Sequence, residues 1–176
     1  MKTNVALIGF MGSGKTAVGR ALAKKLNRKF VELDLLIEQK AGKSIPEIFQ
    51  QDGEIAFREL EIEATKEIAR EKYLVIACGG GIVLNKINID RLKEESVIVY
   101  LTASPRVILK RVSGEAGQRP LLEVDNPTLT IRELLRFRKP FYERAADISI
   151  DTTKLDIDSV VDQIINRLKE DESFNF

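Results

Sequence analysis

Gly9-Phe10-Met11-Gly12-Ser13-Gly14-Lys15-Thr16, close to the amino end of a 176-residue chain, fits the pattern G-x-x-x-x-G-K-[ST]. It follows the apolar run Asn4 to Ile8, which reads as a strand. It opens a helical repeat at Val18, Leu22 and Leu26 that Asn27 can close. In that context the glycines let the backbone wrap a phosphate with its N–H groups turned inward, and the helix N-terminus adds the positive end of a dipole. Lys15 can then reach the outer phosphates of a nucleoside triphosphate while the Thr16 hydroxyl ligates Mg²⁺. Gly12, Ser13, Gly14, Lys15, Thr16 and Ala17 are therefore the nucleotide-binding candidates. The pattern is silent about what receives the phosphoryl group.

Outward from this loop, short apolar runs alternate with helical patterns. Phe30 to Leu33, Tyr73 to Cys78, Val97 to Leu101 and Ile148 to Ile150 read as four more strands, several apolar on consecutive residues, as in strands covered on both faces. Ser44-Ile45-Pro46-Glu47 is a capping box, and Gly53 stops the short helix it opens. A longer helix runs from Ile55 to Arg70, Ser104-Pro105 caps another, Thr130-Ile131-Arg132-Glu133 boxes the next, and Asp156 caps the last. Such alternation predicts an α/β fold with a parallel sheet and helices on both sides, and ligands at the carboxyl ends of the strands. Ser113 to Pro127 fits neither period, holds two glycines and two prolines, and reads as a lid. The polar tail from Glu170 to Phe176 shows no period either and is open to disorder.

Composition removes whole classes of chemistry. With no His there is no imidazole base, no Ser-His-Asp triad and no His-ligated zinc; a single Cys allows no intramolecular disulfide and no Cys-cluster metal site. Acid–base work falls to carboxylates, Lys, Arg, Tyr or backbone amides. A net charge of +1 implies no pull toward nucleic acid or an anionic membrane. The charge is uneven, however. Arg106 to Arg144 carries nine basic and five acidic residues, and Ala145 to the end three basic and eight acidic. Solvated helix faces explain this as well as a basic segment facing a polyanionic ligand. No run of 18 apolar residues and no signal peptide are present, so a cytoplasmic protein is expected, a monomer by default.

Two further features narrow the acceptor, and no Asn-Lys-x-Asp guanine-reading pattern is present. Glu32 and Asp34 close the second strand two residues apart. One could help hold hydrated Mg²⁺ and the other accept a proton from an alcohol, while a helix-capping Asp34 is the competing reading. Cys78-Gly79-Gly80-Gly81 ends the third strand, where glycines expose amides and leave room for a ligand against the chain; a plain flexible turn is the alternative.

The glycine loop, Glu32-Leu33-Asp34, Phe57-Arg58-Glu59-Leu60-Glu61, the triple glycine, Arg119-Pro120-Leu121-Leu122 and Arg138-Lys139-Pro140-Phe141-Tyr142 occur in the order found in shikimate kinases. The chain resembles that family from Asn4 to about Asp151. The resemblance implies one P-loop kinase domain over residues 1–176, a three-layer α/β/α fold with a five-stranded parallel sheet of order 2-3-1-4-5. It also implies a mobile lid at about 113–127 and a substrate-binding helical region at about 34–61. It makes Asp34 the proton acceptor, Arg58 and Arg138 the clamp on the shikimate carboxylate with Glu61 near Arg58, and Gly79, Gly80 and Gly81 the substrate lining. Arg119 becomes the lid cation on the phosphates and Arg111 the residue stacked on adenine. Planar guanidinium forks suit a carboxylate ligand without any resemblance. Without it, Arg58 could pair with Glu54 or Glu61 on the helix surface, and Arg138 with Glu143. Two departures stand out: Glu32 occupies a position usually Asp, and Asp151-Thr152-Thr153-Lys154-Leu155 lacks the Arg or Pro found near adenine in some relatives.

The expected activity is transfer of phosphoryl from ATP to the 3-hydroxyl of shikimate, with Mg²⁺ held by Thr16 and Glu32, within aromatic amino acid biosynthesis. Small molecules are the expected partners. Another P-loop kinase acting on gluconate or a nucleoside monophosphate is the nearest alternative, and a nucleotide-binding regulatory switch is the alternative from a different class.

Overall fold

Val5, Ala6, Leu7 and Ile8 have no exposed surface, so the strand they form, β1 (Asn4–Ile8), is covered on both faces. In the computed structural model, which describes residues 1–113 and 125–176, β1 is the middle of a five-stranded parallel sheet of order β2-β3-β1-β4-β5. The other strands are β2 (Lys29–Glu32), β3 (Leu74–Ala77), β4 (Ser96–Thr102) and β5 (Ile148–Asp151). Side chains alternate between faces with period two. Val5, Leu7, Val75, Val97 and Val99 therefore pack on α1 (Lys15–Leu26) and α8 (Ile157–Lys169), while Ala6, Ile8, Ile76, Ile98 and Tyr100 pack on the opposite layer. That layer holds α2 (Leu33–Ala41), α3 (Ile45–Gln51), α4 (Gly53–Ile68), α5 (Lys86–Glu95) and α7 (Pro127–Ala145). A third cluster joins Phe10 and Met11 to Ile108 and Val112 of α6 (Pro105–Val112) and to Ile131, which ties the glycine loop to α6 and α7.

Register sets the site. Glu32 pairs with Ala77, and Ala77 with Leu7, so β2, β3 and β1 leave the sheet side by side. Several helix ends follow the sequence signals. Asn27 closes α1 in the left-handed region, Ser44 and Glu47 form a reciprocal capping box, and Ser104 and Asp156 accept from Val107 and Ser159 N–H.

Four expectations shift. β2 ends at Glu32, because Leu33 already starts α2. α7 begins three residues before Thr130, since Asn126 accepts the Leu129 N–H as cap and Pro127 starts the helix; Thr130 is inside it, its hydroxyl donating to the Asn126 carbonyl. Helices α2 and α5 were not marked out by the sequence patterns, although Gly42, at φ 68°, closes α2 as a left-handed C-cap. The carboxyl-terminal tail is held in place. Phe174 is buried, Lys2 N–H donates to Ser173 O at 2.7 Å and Asn175 N–H to Lys2 O at 2.9 Å. Arg28 lies 4.5 Å over the Phe174 ring and donates to the carbonyls of Thr3 and Asn175. One bridging residue and a stacked cation need no sequence period, so no period marked it. The lid segment, with Arg119, lies almost wholly outside the described residues. Among the described residues no helix is long and apolar enough to cross a membrane.

Truncating Phe174 to Ala removes a buried ring and the face under Arg28, with an expected loss of about 3 kcal/mol in urea unfolding. A loss well under 1 kcal/mol would mean that the tail is not anchored.

Candidate active site

The glycine loop turns sharply out of β1. Gly12 and Gly14 adopt φ of 75° and 95°, which a side chain resists, and a Cβ on Gly12 would stand 2.8 Å from a Val112 methyl. Lys15 Nζ crosses the loop and donates to the carbonyls of Gly9 (2.7 Å) and Phe10 (2.9 Å), so its ammonium lies against the start of the loop. Thr16 Oγ1 donates to Glu32 Oε1 at 3.1 Å, and Arg20 NH2 lies 3.9 Å from Glu32 Oε2. A cavity of about 570 Å³ opens over this loop, lined among others by Lys15, Thr16, Ala17, Glu32, Asp34 and Arg111. Ser13 is buried beneath the loop.

A second cavity of about 380 Å³ lies beside the first, walled by Asp34, Arg58, Glu61, Arg138 and the triple glycine. The two share Met11, Glu32, Asp34, Leu35, Gly79 and Gly80. Asp34 thus stands on the common wall. It is the second residue of α2 and not its cap; Glu32 holds the cap position, its side chain making no bond to the helix amides. The two carboxylates meet because the chain passes from strand to helix between them, and not through strand alternation.

None of Gly79, Gly80 and Gly81 has a positive φ. They are required by space. A Cβ on Gly79 would lie 2.9 Å from Asp34 Oδ1 and 3.2 Å from Glu61 Oε2; on Gly80, 3.4 Å from Arg138 NH1; on Gly81, 2.5 Å from both Arg58 terminal nitrogens. Arg58, from α4, donates to Glu61 at 3.1 Å and Glu54 at 3.2 Å with its side chain 14% exposed. The helix-surface pairing and the cavity-facing role coincide in one side chain. Arg138 of α7 is 3% exposed and lies 5.8 Å over the Phe10 ring, while Glu143 pairs with Lys139. Arg111 donates to Gly12 O (3.1 Å), Thr152 Oγ1 (3.3 Å) and Thr152 O (3.4 Å), and so ties the glycine loop to the segment after β5.

Four members of the site carried no role in the sequence. Tyr142 donates its hydroxyl to Gly80 O, stacks on Tyr100 and interacts with Arg138. Its position four residues after Arg138 on one helix was the available signal. Arg20, one turn after Thr16, had the same kind of signal. Phe49 and Phe57, paired at 4.9 Å, line the second cavity from α3 and α4, whose packing no sequence rule foretold.

Burial sets the electrostatics. Glu61 has no exposed surface, and its carboxyl is pushed up to about 7, chiefly by desolvation and further by Asp34; Arg58 and Arg138 pull in the opposite direction. Burial also raises the Cys78 thiol and the Tyr142 hydroxyl, keeping both neutral. For metal binding, Thr16 and Glu32 supply hard oxygen donors. Among the described residues no group of three His, Cys, Asp or Glu side chains could hold an ion alone. That donor set fits Mg²⁺, which is commonly bound through one or two carboxylates completed by substrate phosphates and water.

A model of the shikimate kinase family matches residues 11–169. A shikimate kinase from Thermodesulfovibrio yellowstonii is 49% identical over 162 residues, 92% of this chain and 92% of its own. The solved structure of shikimate kinase from Acinetobacter baumannii in complex with shikimate is 37% identical, covers 98% of this chain and 96% of its own, and superposes with a TM-score of 0.93. The enzyme from Aquifex aeolicus, 33% identical over 94% of this chain and 96% of its own, gives 0.82.

A carboxyl raised from 4.5 to about 7 binds its proton more tightly in the folded state. Its contribution to stability is full below pH 4.5 and is lost as pH rises to 7. Between pH 5 and 7.5 the wild-type protein should therefore lose on the order of 2 kcal/mol relative to Glu61→Gln in chemical unfolding. A difference independent of pH would show that Glu61 does not titrate there.

Proposed function

We propose a division of labour among the site residues of a chain that belongs to the shikimate kinase family. It is a kinase: it uses ATP to phosphorylate shikimate, a step of aromatic biosynthesis. The observation that carries the assignment of roles is Asp34 on the wall shared by the phosphate-loop cavity and the cavity with the paired arginines. A group that must touch both the transferred phosphoryl and the accepting hydroxyl belongs there.

ATP binds with its phosphates wrapped by Gly12 to Thr16, and Ala17 continues the helix start beneath them. Lys15 faces the phosphates from across the loop. Thr16 and Glu32 hold Mg²⁺, which neutralises phosphate charge when bound. Arg111 steadies the loop against Thr152 and lies under the adenine. Shikimate places its carboxylate between the guanidiniums of Arg58 and Arg138, where charge-assisted bonds fix its orientation. Glu61 and Glu54 hold the Arg58 fork, and Tyr142 holds the Gly80 carbonyl so that the glycine backbone forms the substrate's floor. The 3-hydroxyl then faces the γ-phosphorus beside Asp34. Its oxygen forms the new P–O bond, the bond to the β,γ-bridging oxygen breaks and ADP leaves, and the hydroxyl proton passes to Asp34. Positioning and charge neutralisation supply most of the acceleration, as in other phosphoryl transfers. Arg119 joins Lys15 on the phosphoryl oxygens with the lid at about 113–127, a role that rests on the resemblance alone. The same reading makes the enzyme a cytoplasmic monomer that acts on two small molecules, without a nucleic acid or membrane partner.

ADP release measured with and without shikimate tests the reading. Strong stimulation by shikimate, and none by gluconate or a nucleoside monophosphate, is the expected outcome; slow turnover indifferent to shikimate would overturn it. Asp34→Asn should lower kcat by a factor on the order of 10²–10⁴ with the fold intact, and full activity would remove Asp34 from the base role. Arg58→Ala should raise the KM for shikimate far more than that for ATP, whereas equal effects on both would count against carboxylate binding.

A further inference from the structure

We propose that shikimate enters its site together with a proton, and that Glu61 is the group that takes it. This rests on the functional reading above, since it concerns the same clamp. Four charged side chains converge on the glycine triplet: Asp34 from α2, Arg58 and Glu61 from α4, and Arg138 from α7. Before the substrate binds, two carboxylates face two guanidiniums. The other titratable groups near them leave this balance unaltered. Cys78 at the end of β3 and Tyr142 on α7 are held neutral by burial, Lys15 serves the phosphate side, and Glu54 pairs with Arg58 from a half-exposed position.

A substrate carboxylate between Arg58 and Arg138 adds one negative charge to this enclosed group. Enclosed net charge is costly, and an acid relieves it by protonation. Glu61 is the carboxylate placed to accept that proton. It has no exposed surface, its Oε1 has one donor in Arg58, and its Oε2 has none. The donor it has is the one the substrate also uses. Asp34 lines both cavities and is half-buried as a residue, although its Oδ1 is itself screened from solvent. Glu61 Oε2 and Asp34 Oδ1 both lie within 3.2 Å of the point a Cβ on Gly79 would occupy. Protonating Glu61 therefore also relieves the repulsion between two facing carboxylates and leaves Asp34 as the anion beside the hydroxyl.

The direction of the pH effect follows from the free group, which burial holds near 7. Below that pH Glu61 already carries its proton, and affinity for shikimate is flat. Above it each complex takes up a proton, and affinity falls by up to about tenfold per pH unit until the higher pKa of the complex is passed. ATP, bound over the other cavity, shows no such dependence.

Calorimetric titration of shikimate into the enzyme at pH 7.8, in two buffers of different ionisation enthalpy, counts the protons. Uptake of about 0.5–1 proton per site is expected, with the Kd for shikimate rising between pH 7 and 8.5 and the Kd for ATP not following it. Glu61→Gln should abolish the uptake and flatten the shikimate Kd. Binding without uptake in the wild-type protein overturns the proposal and leaves the kinase assignment standing if shikimate still stimulates ADP release. No shikimate binding at all overturns both. Uptake that persists in Glu61→Gln places the proton elsewhere and overturns it too. Should that variant not fold, the difference infrared spectrum of the wild-type enzyme decides: a protonated-carboxyl band that grows on adding shikimate supports the assignment, and its absence overturns it.

Discussion

A Cβ on Gly79 would crowd Asp34 and Glu61, and one on Gly81 would stand 2.5 Å from the Arg58 nitrogens. The space those glycines leave empty is the space in which α2, α4 and α7 deliver their charged side chains. Because the strand ends of β1, β2 and β3 leave the sheet in one row, the phosphate loop, Asp34 and the triplet become neighbours through register alone. A side chain at Gly81 would displace Arg58, and one at Gly79 would displace Asp34. Close packing leaves no slack to absorb such a change.

Confining these charges has a cost that the surrounding structure offsets. Ionised groups away from water are tolerated when each finds an opposite charge or donors. Arg58 has two carboxylates, and Arg138 lies over Phe10 and against Tyr142. Glu61 is the member least well served, which is why desolvation dominates its ionisation. A carboxyl poised near neutrality in a cleft is a common mark of a working site. Here its value follows chiefly from burial, with one neighbouring acid adding to it.

Much of this was legible along the chain. The glycine loop names its ligand class, because the need for inward amides and a helix start leaves few residue choices between β1 and α1. The five strands stood out as short apolar runs, several of them apolar on consecutive residues, and local capping rules placed the starts of α3, α6 and α8. Less legible were elements defined by what they touch. The start of α7 shifted because Asn126 and Pro127 outcompete Thr130 as a terminus. The tail from Glu170 looked free until Phe174 met Arg28. Tyr142 and Arg20 had helical spacing as their only signal, which many surface residues share.

By itself the sequence determined the alternation of strands and helices, the phosphate loop and the residue types able to do the chemistry, since these depend on local spacing and on which side chains exist at all. With no histidine, acid–base work was left to carboxylates, Lys, Arg, Tyr or backbone amides. Only the tertiary structure decided the surroundings of each carboxylate. Asp34 and Glu61 are 27 positions apart and of one chemical kind, yet the first is half-buried and lines both cavities while the second has no exposed surface and lines one. Their difference lies in solvation and in the donors within reach, and those are set by how three helices pack around three glycines.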